Sequence, residues 1–190
     1  MLAILLPLLL LVIGYFIWTV YKNINSNMPE FTYTGWNHYF PGIEFSAKEF
    51  YTTIQKNVED RKIPGAIVLL VDFSEYGSVM DTYRTYLRIR NRRFVFDICA
   101  APYGEGFFVS SWMGEDVTLI TRLLFYIPFF GSYLRNRVFG NTYYAWDSQD
   151  MFEVTTHLAV MQAIDAMTTQ KGIRMLTEAE KTSRRPRKQS

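Results

Sequence analysis

Residues 82–113 read TYRTYLRIRNRRFVFDICAAPYGEGFFVSSWM, and this stretch decides the fold. From Thr82 to Arg90 the chain alternates, with Tyr83, Thr85, Leu87 and Ile89 directed to one side and Arg84, Tyr86, Arg88 and Arg90 to the other. A period of two belongs to a strand with one buried face. Asn91-Arg92 predicts a two-residue turn, after which Arg93 to Ala100 returns with Phe94, Phe96 and Ile98 towards the core. The loop Ala101-Pro102-Tyr103-Gly104-Glu105 leads to a further strand, Gly106 to Met113. Upstream, Ala66 to Phe73 is an apolar run with one acid, Asp72, which predicts a strand buried on both faces. Four consecutive strands with short links predict an antiparallel meander.

Helices flank the meander. Ser46-Ala47-Lys48-Glu49 is a capping box, in which the Ser side chain accepts from the amide three residues on. The helix it opens should run to about Arg61 and stop before Pro64-Gly65, with Phe50, Ile54 and Val58 on one face. A longer helix should begin at a cap on Asp147 or Ser148 and end at Gly172. Val154, Leu158, Met161 and Ile164 or Asp165 trace its expected inner stripe. The fold class is therefore α+β, a two-layer domain over residues 46–176. Its element order resembles cystatin-like α+β sandwiches in outline; no motif accompanies the likeness, so it implies no activity.

Residues 1–21, MLAILLPLLLLVIGYFIWTVY, carry no charged side chain, and the first charge is Lys22. About 20 apolar residues cross a bilayer core as a helix. Tyr15, Trp18 and Tyr21 gather at the Lys22 end, as an interfacial aromatic belt does. No Lys or Arg precedes the apolar run and no small-residue cleavage site follows it, so an uncleaved signal anchor is expected rather than a cleaved leader. A single-pass membrane protein follows. The missing basic flank and the lone Cys99 favour a cytoplasmic domain. Residues 22–45 read as a juxtamembrane connector with at most a short strand, Phe31 to Thr34, and residues 177–190 as a basic disordered tail. Within that tail, Thr177-Glu178-Ala179-Glu180 can cap one short turn.

A second apolar stretch lies at 117–134, VTLITRLLFYIPFFGSYL, with Arg122 its one charge and Pro128 and Gly131 breaking it. It reads either as a core helix or as a membrane-dipping one with Leu119, Ile120, Leu123, Leu124 and Ile127 in the lipid boundary. Membrane contact is accordingly expected at Trp18, Tyr21 and these five residues.

Of the 190 residues, 49% are apolar and 20% charged, which excludes a disordered chain. One cysteine and two histidines, His38 and His157, exclude a disulfide framework and a Cys-rich zinc site, and no cofactor is expected. A net charge of +2 gives no field for specific nucleic-acid binding. Gly104-Glu105-Gly106 lacks the lysine and the third glycine of phosphate-binding loops.

Cys99, Asp97 and His157 could serve a small membrane-tethered thiol or carboxylate enzyme. The plainer readings are a small apolar Cys, an Asp paired across strands with Arg84 or Arg88, and an interior His. The most informative polar feature is the Arg-bearing strand. Arg84, Tyr86, Arg88 and Arg90 share one face, and planar guanidinium forks around an aromatic suit phosphates, carboxylates or an acidic partner surface. The sequence thus predicts a membrane-anchored binding or scaffold subunit. Its expected partners are the bilayer, a protein in a membrane complex, and an anionic lipid or ligand.

Overall fold

The Ser46 hydroxyl accepts the amide of Glu49 and opens helix α1, Ala47–Asp60. Phe50, Ile54 and Val58 are buried on its inner face, as their i, i+4, i+8 spacing requires. In the computed structural model, the residues described are 14–15, 18, 29, 31–74, 83–117, 121, 133, 142–183 and 185–186. The chain divides into two compact units, Met1–Met28 with Val117–Asn141, and Pro29–Asp116 with Thr142–Ser190. The second unit is the α+β domain.

Its strands are β1 (Phe31–Pro41), β2 (Ile67–Ser74), β3 (Tyr83–Asn91), β4 (Phe94–Tyr103) and β5 (Gly106–Glu115). Helix α2 (Tyr143–Gln170), the short α3 (Glu178–Thr182) and a two-residue β6 (Arg185–Pro186) follow. The antiparallel sheet has the order β2-β3-β4-β5-β1-β6. The meander β2 to β5 is present, and β1 adds beside β5. The segment 22–45, expected to be a connector, therefore contributes an 11-residue strand to the sheet. Trp36 and Phe40 fill the core from β1, with Tyr33 and Phe45 packed partly buried against it, whereas Tyr39 is exposed.

The helices cover one sheet face. Leu87, Ile89, Phe94, Phe96, Ile98, Phe107, Val109 and Met113 point towards them. Phe45, Phe50 and Phe107 pack edge to face, with centroids 5.7–6.5 Å apart. The turns differ slightly from expectation. Asn91 still pairs with Phe94, so the tight turn is Arg92-Arg93, with Arg92 at φ 54°. Tyr103 pairs with Gly106, and Gly104 at φ 58° makes the second turn.

Two further expectations are corrected. Strand β2 is not buried on both faces: it is the sheet edge, where Ile67, Leu69, Leu70 and Asp72 are exposed and Val71 alone is buried. An unbroken apolar run is read the same way whether it lies in the centre of a sheet or presents itself to a neighbour. Helix α2 starts at Tyr143, with Thr142 as N-cap accepting from Ala145, and Gly172 at φ 65° follows its end. Of its expected stripe, Met161 and Ile164 are buried, together with Phe152, Ala159, Val160, Ala163 and Met167, whereas Val154 and Leu158 are exposed. The small residues Ala159 and Ala163 let α1 approach, and Asn57 Nδ2 donates to the Ala159 carbonyl at 3.0 Å. Close approach outweighs the burial of two larger side chains.

The anchor at 1–21 lies outside the described residues apart from Gly14, Tyr15 and Trp18, which are helical. Tyr15 and Trp18 are exposed and their rings lie 6.2 Å apart. Tyr21, Leu119, Ile120, Leu123, Leu124 and Ile127 also lie outside the described residues. Among the described residues, no helix is long and apolar enough to cross a membrane.

Candidate functional site

The Arg-bearing strand β3 lies between β2 and β4, with its arginines on the sheet face away from the helices. Opposite Arg88 stands Asp97 of β4. Arg88 Nε donates to Asp97 Oδ1 at 2.6 Å and Nη2 to Oδ2 at 2.8 Å. The residues are 6% and 4% exposed, so this fork is buried and committed within the chain. The Arg88 guanidinium also lies 5.4 Å from the centre of the Phe73 ring, which stands edge-on to Tyr86. Burial pushes the Asp97 carboxyl above its usual range, against the opposing pull of Arg88. Arg90 Nε donates to the Arg92 carbonyl at 3.2 Å. Arg84 and Tyr86 gather around Cys99. The four residues predicted for anion or partner binding thus share a face, but one of them is spent on Asp97.

Cys99 is fully buried, and burial raises its thiol above the ordinary range while Arg84 and Tyr86 pull the other way. Cys99 and Asp97 alternate with Phe96 and Ile98, so they face away from α2. His157 sits on α2, against the other face. The structure does not bring Cys99, Asp97 and His157 together.

His157 belongs to a different cluster. Its Nε2 donates to the Lys181 carbonyl at 2.9 Å, and its ring meets Trp36 edge-on at 6.1 Å. Trp36 Nε1 donates to the Glu180 carbonyl at 2.8 Å. Thr34 donates to buried Glu153 at 2.6 Å. A void of about 10 Å³ between Thr34, Ser111, Glu153 and His157 is about the size of one water and too small for a substrate. The His157 and Trp36 contacts strap α3 across α2 and β1. Thr177 and Glu180 close a reciprocal capping box, Arg174 pairs with Glu180 at 2.8 Å, and Lys181 pairs with Asp165 at 2.8 Å. The Arg174 and Thr177 hydrogen bonds bring the Glu180 carboxyl down to about 2. The start of the tail expected to be disordered is therefore helical, and Arg185–Pro186 pairs with β1. Among the described residues, no group of three or more His, Cys, Asp or Glu side chains could hold a metal ion.

The open feature is the edge. Ile67 is 61% exposed, Leu70 is 62% exposed, and Leu69 lies between them on the strand. Along β2 the single charge is Asp72, and it accepts a hydrogen bond from Thr85 at 2.6 Å. A groove of about 320 Å³ runs between α1 and the start of β2, lined by Gln55, Val58, Glu59, Lys62, Ile63, Ala66 and Val68. Sequence reasoning missed this surface because it placed the same apolar run in the interior.

Comparison with protein-family models, with curated proteins and with solved structures finds no match for the chain.

Proposed function

We propose that the chain is a single-pass membrane-anchored binding subunit that holds a partner protein by adding an extended segment of it to the β2 edge. The uncharged stretch 1–21 is the anchor, and the domain stands on the cytoplasmic side. The observation that carries the reading is the exposure of Ile67, Leu69 and Leu70 on an edge strand beside an open groove. Natural sheets protect their edges with Lys, Pro, bulges or very short strands. Strand β2 is eight residues long and has neither Lys nor Pro. An added strand would gain backbone hydrogen bonds along β2, with α1 and the exposed side chains supplying selectivity.

The alternative, a thiol or carboxylate enzyme on Cys99, Asp97 and His157, draws less support. Its thiol is buried, its carboxylate is engaged by Arg88, and its histidine faces the other layer.

The full chain, isolated in mild detergent, tests the proposal. A stoichiometric partner is expected with the wild type and absent with Leu69→Lys/Leu70→Lys, while the double variant still unfolds cooperatively within a few degrees of the wild type. Equal recovery with both proteins would refute the edge as the docking site.

A further inference from the structure

Three crossing points of the chain meet at one pole of the sheet. Phe31, where β1 begins, faces Glu115, where β5 ends. Glu115 also faces Phe94, and Phe94 faces Asn91. The chain thus arrives from the uncharged stretch 1–21 and departs into the apolar stretch 117–134 at neighbouring strand ends.

Helix α2 brings the chain back at the same pole. Phe152 stacks on Phe94 at 6.3 Å, and Glu153 accepts from Thr34, three residues into β1. The nine residues of α2 before Phe152 therefore extend towards and beyond the sheet end, over roughly 13 Å at the helical rise. That projection carries Tyr143, Tyr144 and Trp146, exposed at 81%, 72% and 47%. Tyr143 and Trp146 pack edge to face at 5.5 Å. Asp147 and Asp150 share the same turns and are also exposed.

We propose that Tyr143, Tyr144 and Trp146 form a collar that rests in the headgroup layer of the bilayer and fixes the height of the domain above it. Amphipathic rings favour that layer, where one part of the ring is apolar and the other wet. The occupant is lipid because both apolar stretches of sequence leave the domain at this pole. The two aspartates oppose anionic lipid, so the contact is with a zwitterionic surface and does not depend on salt. The inference rests on the membrane-anchored reading above and adds an orientation to it.

The test uses the full chain reconstituted into phosphatidylcholine vesicles. A polarity-sensitive fluorophore is placed at Tyr144→Cys or, at the opposite pole, at exposed Tyr103→Cys, each with Cys99→Ser. The Tyr144 probe is expected to emit further to the blue, to lose intensity with nitroxide-labelled lipid, and to resist aqueous iodide; the Tyr103 probe should do the reverse. Trp146→Cys provides a second labelling position should Tyr144→Cys not fold. Equal iodide access at both poles, with the chain still in the vesicles after alkaline carbonate, overturns the collar alone. Loss of the chain into the carbonate supernatant overturns the anchored reading and the collar with it. A lipid signal that vanishes in high salt assigns the contact to basic residues and also overturns the collar.

Discussion

Arg88 and Asp97 face each other on neighbouring strands, joined by two hydrogen bonds of 2.6 and 2.8 Å and nearly sealed from water. A planar fork meeting a carboxylate in this way is a structural bond between β3 and β4. It also divides the arginines of β3 into one that holds the fold and others near the surface.

Removing one partner leaves the other buried and unpaired. Asp97→Ala and Arg88→Ala should each cost about 3–5 kcal/mol. Arg88→Lys keeps the charge but loses the fork, and should cost about 1–3 kcal/mol. Arg90→Lys should change stability by no more than about 0.5 kcal/mol. Denaturant titration of the full chain in mild detergent checks all four.

Cys99 should be unreactive in the folded protein. Its burial raises the thiol and hides it, so the thiolate fraction is small. Alkylation at neutral pH should be slow and should accelerate sharply once denaturant unfolds the domain. Rapid alkylation of the native chain would revive the thiol-enzyme reading.

The C-terminal strap should loosen in acid. Glu180 is lowered to about 2 by Arg174 and Thr177, from an ordinary value near 4.5. Its contribution is present above the ordinary value and is lost as pH falls from there towards 2. The Trp36 indole proton, donated to the Glu180 carbonyl, should exchange faster through that window. Arg174→Ala should move the loosening to higher pH. Hydrogen exchange of the indole signal measures both effects.

The strands of the meander were legible because β3 alternates strictly and β4 shares its tight turn. Helix α1 was legible from Ser46 and three apolar residues at helical spacing. Strand β1 was legible only at its start, Phe31 to Thr34, since Gly35, Asn37 and His38 break its pattern beyond that point. Gly35 has no side chain because a Cβ there would lie 2.5 Å from the Trp112 ring. The inner stripe of α2 was half legible: Met161 and Ile164 are buried as expected, but Val154 and Leu158 are exposed while the smaller Ala159 and Ala163 are buried, because close helix approach favours small residues. At the candidate site, the shared face of Arg84, Tyr86, Arg88 and Arg90 could be read from spacing, as could the plainer pairing of Asp97. The open edge could not, because periodicity carries no information about which strand is outermost.

Edge exposure also predicts how stability and association separate. Leu69→Lys and Leu70→Lys replace exposed side chains on the open strand, so each should alter folding stability by no more than about 0.5 kcal/mol. Both should weaken partner association. Val68→Lys places a charge in the partly buried groove floor and should impair folding as well. Thermal melts run beside partner recovery distinguish the two effects.

Photo-crosslinking from the edge in intact membranes tests the central claim most directly. A photoreactive amino acid at Leu70 should give one discrete adduct with a partner protein, and the same group at exposed Tyr103 should not. Leu69→Lys should abolish the Leu70 adduct. An identical pattern at both positions, or no adduct at Leu70, would contradict the account.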